Sequence, residues 1–132
     1  MTLLGALEES QVLERYHRSQ IFALACVRTR RGDQDGVPVA LMEAMACEIP
    51  VITTPVAGIP SLVDHGRTGL LVEERDALGL ANALEVLFRD GIMRRQLGER
   101  ARWVILERFQ IQQTAARLAE TFRQVSGPWS PN

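Results

Sequence analysis

Apolar and polar positions along this chain fall into short blocks whose period changes from helix to strand. Val12, Leu13 and Tyr16 share one face of a predicted helix over 8–18, with charged residues on the other face. Residues 21–27 form a continuous apolar run, which predicts a buried parallel strand. Three shorter strands are predicted at 2–5, 51–53 and 70–72. Residues 38–47 carry a single charge, Glu43, so this stretch predicts a short helix, apolar nearly all round and therefore largely buried. Ser61-Leu62-Val63-Asp64 reads as a helical turn stopped by His65-Gly66. Ala77, Leu80, Ala81, Leu84, Leu87 and Phe88 make a helical stripe that Asp90-Gly91 ends. Leu97, Ala101, Val104 and Ile105 define the next helix over 92–108, and Ile111, Ala115, Leu118, Phe122 and Val125 a further one. One domain over 1–125 is then followed by a disordered tail at 126–132.

Strands alternating with helices imply βαβ units, a parallel sheet and right-handed crossovers. The fold class expected is α/β, a partial Rossmann-like parallel sheet of about four strands, flanked by helices and with a helical carboxyl end. Ligands of such sheets bind outside the carboxyl ends of the strands, and the loop after Val27 is at one.

Composition narrows the function. With 132 residues, 46% of them hydrophobic, the chain has apolar material for one real core. A net charge of −1 supplies no bulk attraction to nucleic acid or to an anionic membrane. No apolar run approaches the ~20 residues of a transmembrane segment, and Met1 is not followed by a secretory leader, so the expected localisation is cytoplasmic. Cys26 and Cys47 lie in apolar segments without metal-like spacing and read as buried thiols.

The candidate chemistry gathers at Asp35-Gly36-Val37-Pro38, the turn into the helix that carries Glu43. Gly36 permits positive φ, Pro38 suits a first helical turn, and Asp35 favours the positive end of the helix dipole. A helix start offers free N–H groups to phosphate. At 100° per residue Glu43 lies about 40° from Val39, at the edge of the apolar face, where a carboxylate requires hydrogen-bond donors. Taken singly, Asp35 is an ordinary helix cap and Glu43 a rim carboxylate paired to an arginine. Arg28, Arg30 and Arg31 could meet phosphate or form a solvated loop. His17 reads as a solvent residue, and Trp103, Phe88, Phe109 and Phe122 as core or interface. A calcium loop is excluded: with Gly36 sixth, Arg31 would stand first and Met42 twelfth.

Asp35-x7-Glu43 followed by Ala44-Met45-Ala46 resembles the acidic-x7-Glu motif of the family 4 glycosyltransferases, which have the GT-B fold. The likeness continues through Ile49-Pro50-Val51-Ile52-Thr53-Thr54, Ala57-Gly58-Ile59-Pro60 and Asp64-His65-Gly66-Arg67-Thr68-Gly69-Leu70-Leu71-Val72. It implies the later part of the second, donor-binding domain of a retaining enzyme. Glu43 would accept ribose hydroxyls of a UDP-, GDP- or ADP-sugar donor, and Asp35 would lie against the sugar as the catalytic acid of the motif. Backbone amides of Gly36, Val37 and Pro38 would approach sugar and diphosphate. No metal and no cofactor are implied. Glu48 stands where the family usually has glycine, at a cost of about 1–2 kcal/mol if φ there is positive. Ser61 stands where an acid often follows. Two alternatives remain beside a donor-binding domain: a catalytically inactive truncated fragment, or a subunit completing a split enzyme with a separate amino-terminal half. The stripe from Ile111 to Val125 would favour self-association.

Overall fold

The computed structural model describes residues 2–28 and 36–125, with side chains as far as Arg108. Helix α1 (Glu9–Arg18), strand β1 (Phe22–Leu24), helix α2 (Val39–Ala46), strand β2 (Val51–Thr53), a 3₁₀ turn (Ile59–Ser61), strand β3 (Leu70–Leu71), helix α3 (Ala77–Arg89) and helix α4 (Gly91–Val125) follow one another. The sheet is parallel in the order β1-β2-β3, with Phe22 opposite Val51, Leu24 opposite Thr53 and Ile52 opposite Leu70. Parallel pairing requires crossovers, which α2 supplies between β1 and β2. The α/β class read from the sequence is the class observed.

Alternation along β2 divides the core in two. Val51 joins Leu41, Met45, Ile59, Ala101 and Ile105 on one face, while Ile52 joins Leu70, Leu87 and Leu97 on the other. Helix α4 therefore reaches both clusters, through Leu97 and through Ala101 and Ile105. Each fully buried Leu or Ile side chain contributes about 1.5–3 kcal/mol relative to exposure.

Several expected elements differ. Residues 2–5 form no strand, so the sheet has three strands among the described residues. Leu3 is 86% exposed, and Gly5 turns the chain at φ 67 before α1, so this segment lies along no sheet edge. The run 21–27 is a strand only over Phe22–Leu24 and is half-buried rather than buried. Among the described residues β1 pairs on one side alone, which leaves its outer edge open. The helical turn expected at 61–64 sits two residues earlier, at Ile59–Ser61, where Pro60 presets the backbone. The two carboxyl-terminal helices are one helix of 35 residues, because nothing between Arg108 and Ile111 caps or breaks it. The side chains of the stripe 111–125 and the tail 126–132 lie outside the described residues, as do Phe109 and Phe122.

On α3 the inward face is Leu80, Ala83 and Leu87, leaving Phe88 73% exposed. Trp103, on the α4 side away from Leu97 and Ala101, is 60% exposed and belongs to no core. Cys26 and Cys47 are free and half-buried rather than buried, and burial pushes the Cys26 thiol up. No helix among the described residues is long and apolar enough to cross a membrane.

The carboxyl end of α2 is built tightly. The Glu48 amide donates to the Met45 carbonyl and the Ile49 amide to the Ala44 carbonyl, each at 3.1 Å. That double closure places the intervening residue in the left-handed region, and Glu48 has φ 61. Glycine is the residue such a position favours. From α4, Arg102 donates to the Ala46 carbonyl at 3.1 Å and faces the Glu48 carboxylate at 3.6 Å. Gly98 of α4 lies against the Glu48 backbone, where an added Cβ would stand 2.8 Å from the carbonyl carbon and nearer still to its oxygen.

Candidate functional site

The carboxyl end of β1 is pinned by its neighbour. The Thr53 hydroxyl donates to the Leu24 carbonyl at 2.8 Å and the Thr54 hydroxyl to the Cys26 carbonyl at 2.6 Å. Both threonines are buried, so the exit of β1 is held from beneath. The chain re-enters the described residues at Gly36 and begins α2 three residues later.

Pro38 is the residue preceding the helix, not the first within it. Its φ of −58 and ψ of 131 are extended, and its carbonyl accepts from the Leu41 and Met42 amides. The amides of Val39 and Ala40 thus begin the helix without intrahelical acceptors. A Cβ at Gly36 would meet nothing within 4 Å among the described residues. The closest packing of the turn comes instead from Gly58, whose Cβ position is 3.2 Å from Val37 Cγ2 and 3.4 Å from its amide nitrogen. Ala57 beside it is left-handed at φ 49, so the Ala57-Gly58 bend backs the Gly36-Val37 turn.

Glu43 lies on the open side of α2 together with Val39, which is 63% exposed. That side limits the expected burial: Leu41, Ala44 and Met45 are buried while the Val39–Glu43 edge is not. Glu43 Oε2 accepts from the Tyr16 hydroxyl at 3.1 Å, and the same hydroxyl lies 3.3 Å from the Ala40 carbonyl. Its partner is therefore a phenol rather than an arginine. The Tyr16 ring packs on Phe22 with centroids 5.9 Å apart. Burial first, and then the bond and charge of Glu43, push the phenol above its ordinary range, with Cys47 adding to it. The sequence places Tyr16 on an inward face but gives no sign of this pairing, because the two residues are 27 positions apart.

Asp35 lies outside the described residues, as do Arg30, Arg31 and Asp33. Gly36, Val37 and Pro38 lead into the start of α2, and Glu43 is the fifth of its eight residues, just over one turn further on. Arg28 is engaged elsewhere: its amide donates to Glu74 at 2.9 Å and its guanidinium pairs with the same carboxylate at 3.2 Å. His17 is exposed, and His65 accepts the Leu71 amide through Nδ1 at 3.0 Å, a turn-closing role.

In open parallel α/β sheets ligands bind outside the carboxyl ends of the strands, and the connection from β1 into α2 leaves from such an end. The family model described as glycosyl transferases group 1 matches residues 1–104. The chain belongs to this family and forms part of the second Rossmann-like domain of the GT-B fold. It is 32% identical over 107 residues to N-acetyl-alpha-D-glucosaminyl L-malate synthase of Bacillus anthracis, covering 81% of this chain and 28% of that protein. Sucrose-phosphate synthase from Thermosynechococcus elongatus superposes with a TM-score of 0.75 at 27% identity, over 94% of this chain and 30% of that one. Anabaena HepE in complex with UDP-glucose has the same fold, with a TM-score of 0.69 at 22% identity over 86% of this chain and 30% of its own. The chain spans under a third of the length of these proteins.

Proposed function

We propose that this chain supplies the donor-binding part of a retaining glycosyltransferase. Glu43 accepts the ribose hydroxyls of a UDP-, GDP- or ADP-sugar, the start of α2 faces the diphosphate, and Asp35 lies against the sugar. The carrying observation is the Glu43 carboxylate, exposed on α2 with Oε2 held by Tyr16. An acceptor-only group suits hydroxyl donors, and the UDP-glucose bound by Anabaena HepE supports a nucleotide-sugar ligand.

Thermal melts with UDP, GDP, ADP and their sugars test the reading. A nucleotide at one hundred times its Kd should stabilise the fold by about 2.7 kcal/mol. Glu43→Ala should abolish that shift, because hydrogen bonds to a charged group contribute about 1.5–3 kcal/mol each. An undiminished shift in Glu43→Ala would mean that the carboxylate is not in the donor site.

A further inference from the structure

We propose that Tyr16 is a positioning residue for donor recognition: its hydroxyl fixes the Glu43 carboxylate with one oxygen occupied and the other presented to the ligand. This role rests on the donor-site reading. A glutamate on an exposed helix face samples several rotamers, and binding through it must first suppress that freedom. Here the Tyr16 hydroxyl holds Oε2 at 3.1 Å, while Oε1 accepts no bond among the described residues. A hydroxyl has one proton to give, and of its two neighbours the carboxylate is both nearer and charged, so it takes the stronger bond.

The support of Tyr16 is itself rigid. Its ring lies against Phe22 of β1 and the main core cluster, so the hydroxyl is fixed relative to the sheet and not merely to α1. Helix α1 has no fully buried residue, and Tyr16 is among its few half-buried ones. An aromatic residue has only two side-chain torsions, so it can hold a carboxylate without needing much ordering of its own. The contact joins α1, β1 and α2 at the edge of the site.

A double-mutant cycle on the full chain separates positioning from general support. Tyr16→Phe keeps the ring against Phe22 and removes the bond. Glu43→Gln keeps one acceptor oxygen and removes the charge. Affinities for UDP, GDP and ADP are measured by calorimetry for the wild type, both single variants and the double variant. Tyr16→Phe should weaken binding about three- to tenfold in the wild type, and have little effect on the Glu43→Gln background. A second readout needs no comparison of stabilities. Tyr16 is the only tyrosine of the chain, so the NMR signals of isotopically labelled tyrosine report it alone; they should shift when nucleotide engages Glu43, and stay unchanged in Glu43→Gln. Equal losses in both backgrounds, or no loss in either, would overturn the positioning role while leaving wild-type binding intact. A wild-type chain that binds none of the three nucleotides would overturn the donor-site reading and this role with it.

Discussion

Replacing Glu48 by glycine should stabilise the fold, although it removes an ion pair. Glu48 sits at φ 61, a conformation that costs a residue with a Cβ about 1–2 kcal/mol. Glycine relieves that strain, but its freer unfolded chain takes back roughly 0.4–1 kcal/mol. The Arg102–Glu48 pair, 3.6 Å apart with both side chains about half exposed, contributes only about 0–1 kcal/mol. Glu48→Ala is the reference, since it loses the same pair and keeps the strain. Glycine should therefore exceed alanine by about 1 kcal/mol, or ~3–5 °C in melting temperature for a chain of this size. Urea unfolding of both variants and the wild type measures the difference directly. Repeating it in 1 M salt screens the ion pair, so the advantage of glycine over the wild type should grow. If glycine and alanine proved equally stable, backbone strain at the end of α2 would not be the relevant quantity.

Gly98→Ala should cost ~3 kcal/mol in the same assay, because its Cβ meets the Glu48 backbone and α4 must lift from α2. Glu48→Gly should give no rescue, since the obstacle is main chain; a rescue would show that the side chain is at fault. In alkaline solution the Tyr16 phenol, raised by burial and then by Glu43, should contribute stability that is full below pH ~10 and lost as pH rises through its folded value. Absorbance titration should find that Glu43→Gln lowers the phenol midpoint only part of the way, because burial remains. A midpoint unmoved by Glu43→Gln would contradict the Tyr16–Glu43 bond.

What could be read from the sequence follows from the range of the interactions involved. Helix α1 and the end of α3 were legible because the Val12–Tyr16 face and the Asp90-Gly91 stop act within a few residues. Asp76 accepts the Gly79 amide and Asp90 the Met93 amide, each at 2.8 Å, so both caps are local. The left-handed Glu48 was legible through resemblance, since the family prefers glycine there. Burial was less legible. An apolar run such as 21–27 states that a strand is compatible with the interior, not whether both its edges are paired. The same holds for Trp103 and Phe88, whose helical faces were set by how α3 and α4 roll on the sheet. In the candidate site, Glu43 could be found from its motif. Tyr16 could not, because a contact between residues 16 and 43 exists only once α1 and α2 are docked on β1.

The dependence of both core clusters on α4 has a consequence for the order of synthesis. Arg102 bonds the Ala46 carbonyl 56 positions earlier, and Ala101 closes the cluster around Leu41 and Met45. At the ribosome's ~5–20 residues per second, α2 therefore waits about 3–11 s between its own emergence and that of its cover. During that interval Leu41, Ala44 and Met45 lack the Ala101 and Ile105 side of their cluster and have only the earlier segments, β1, β2 and the turn at 59–63, to lie against. A chaperone that recognises short apolar helices has its longest opportunity here. Slow codons between the segments encoding β3 and α4 would lengthen it.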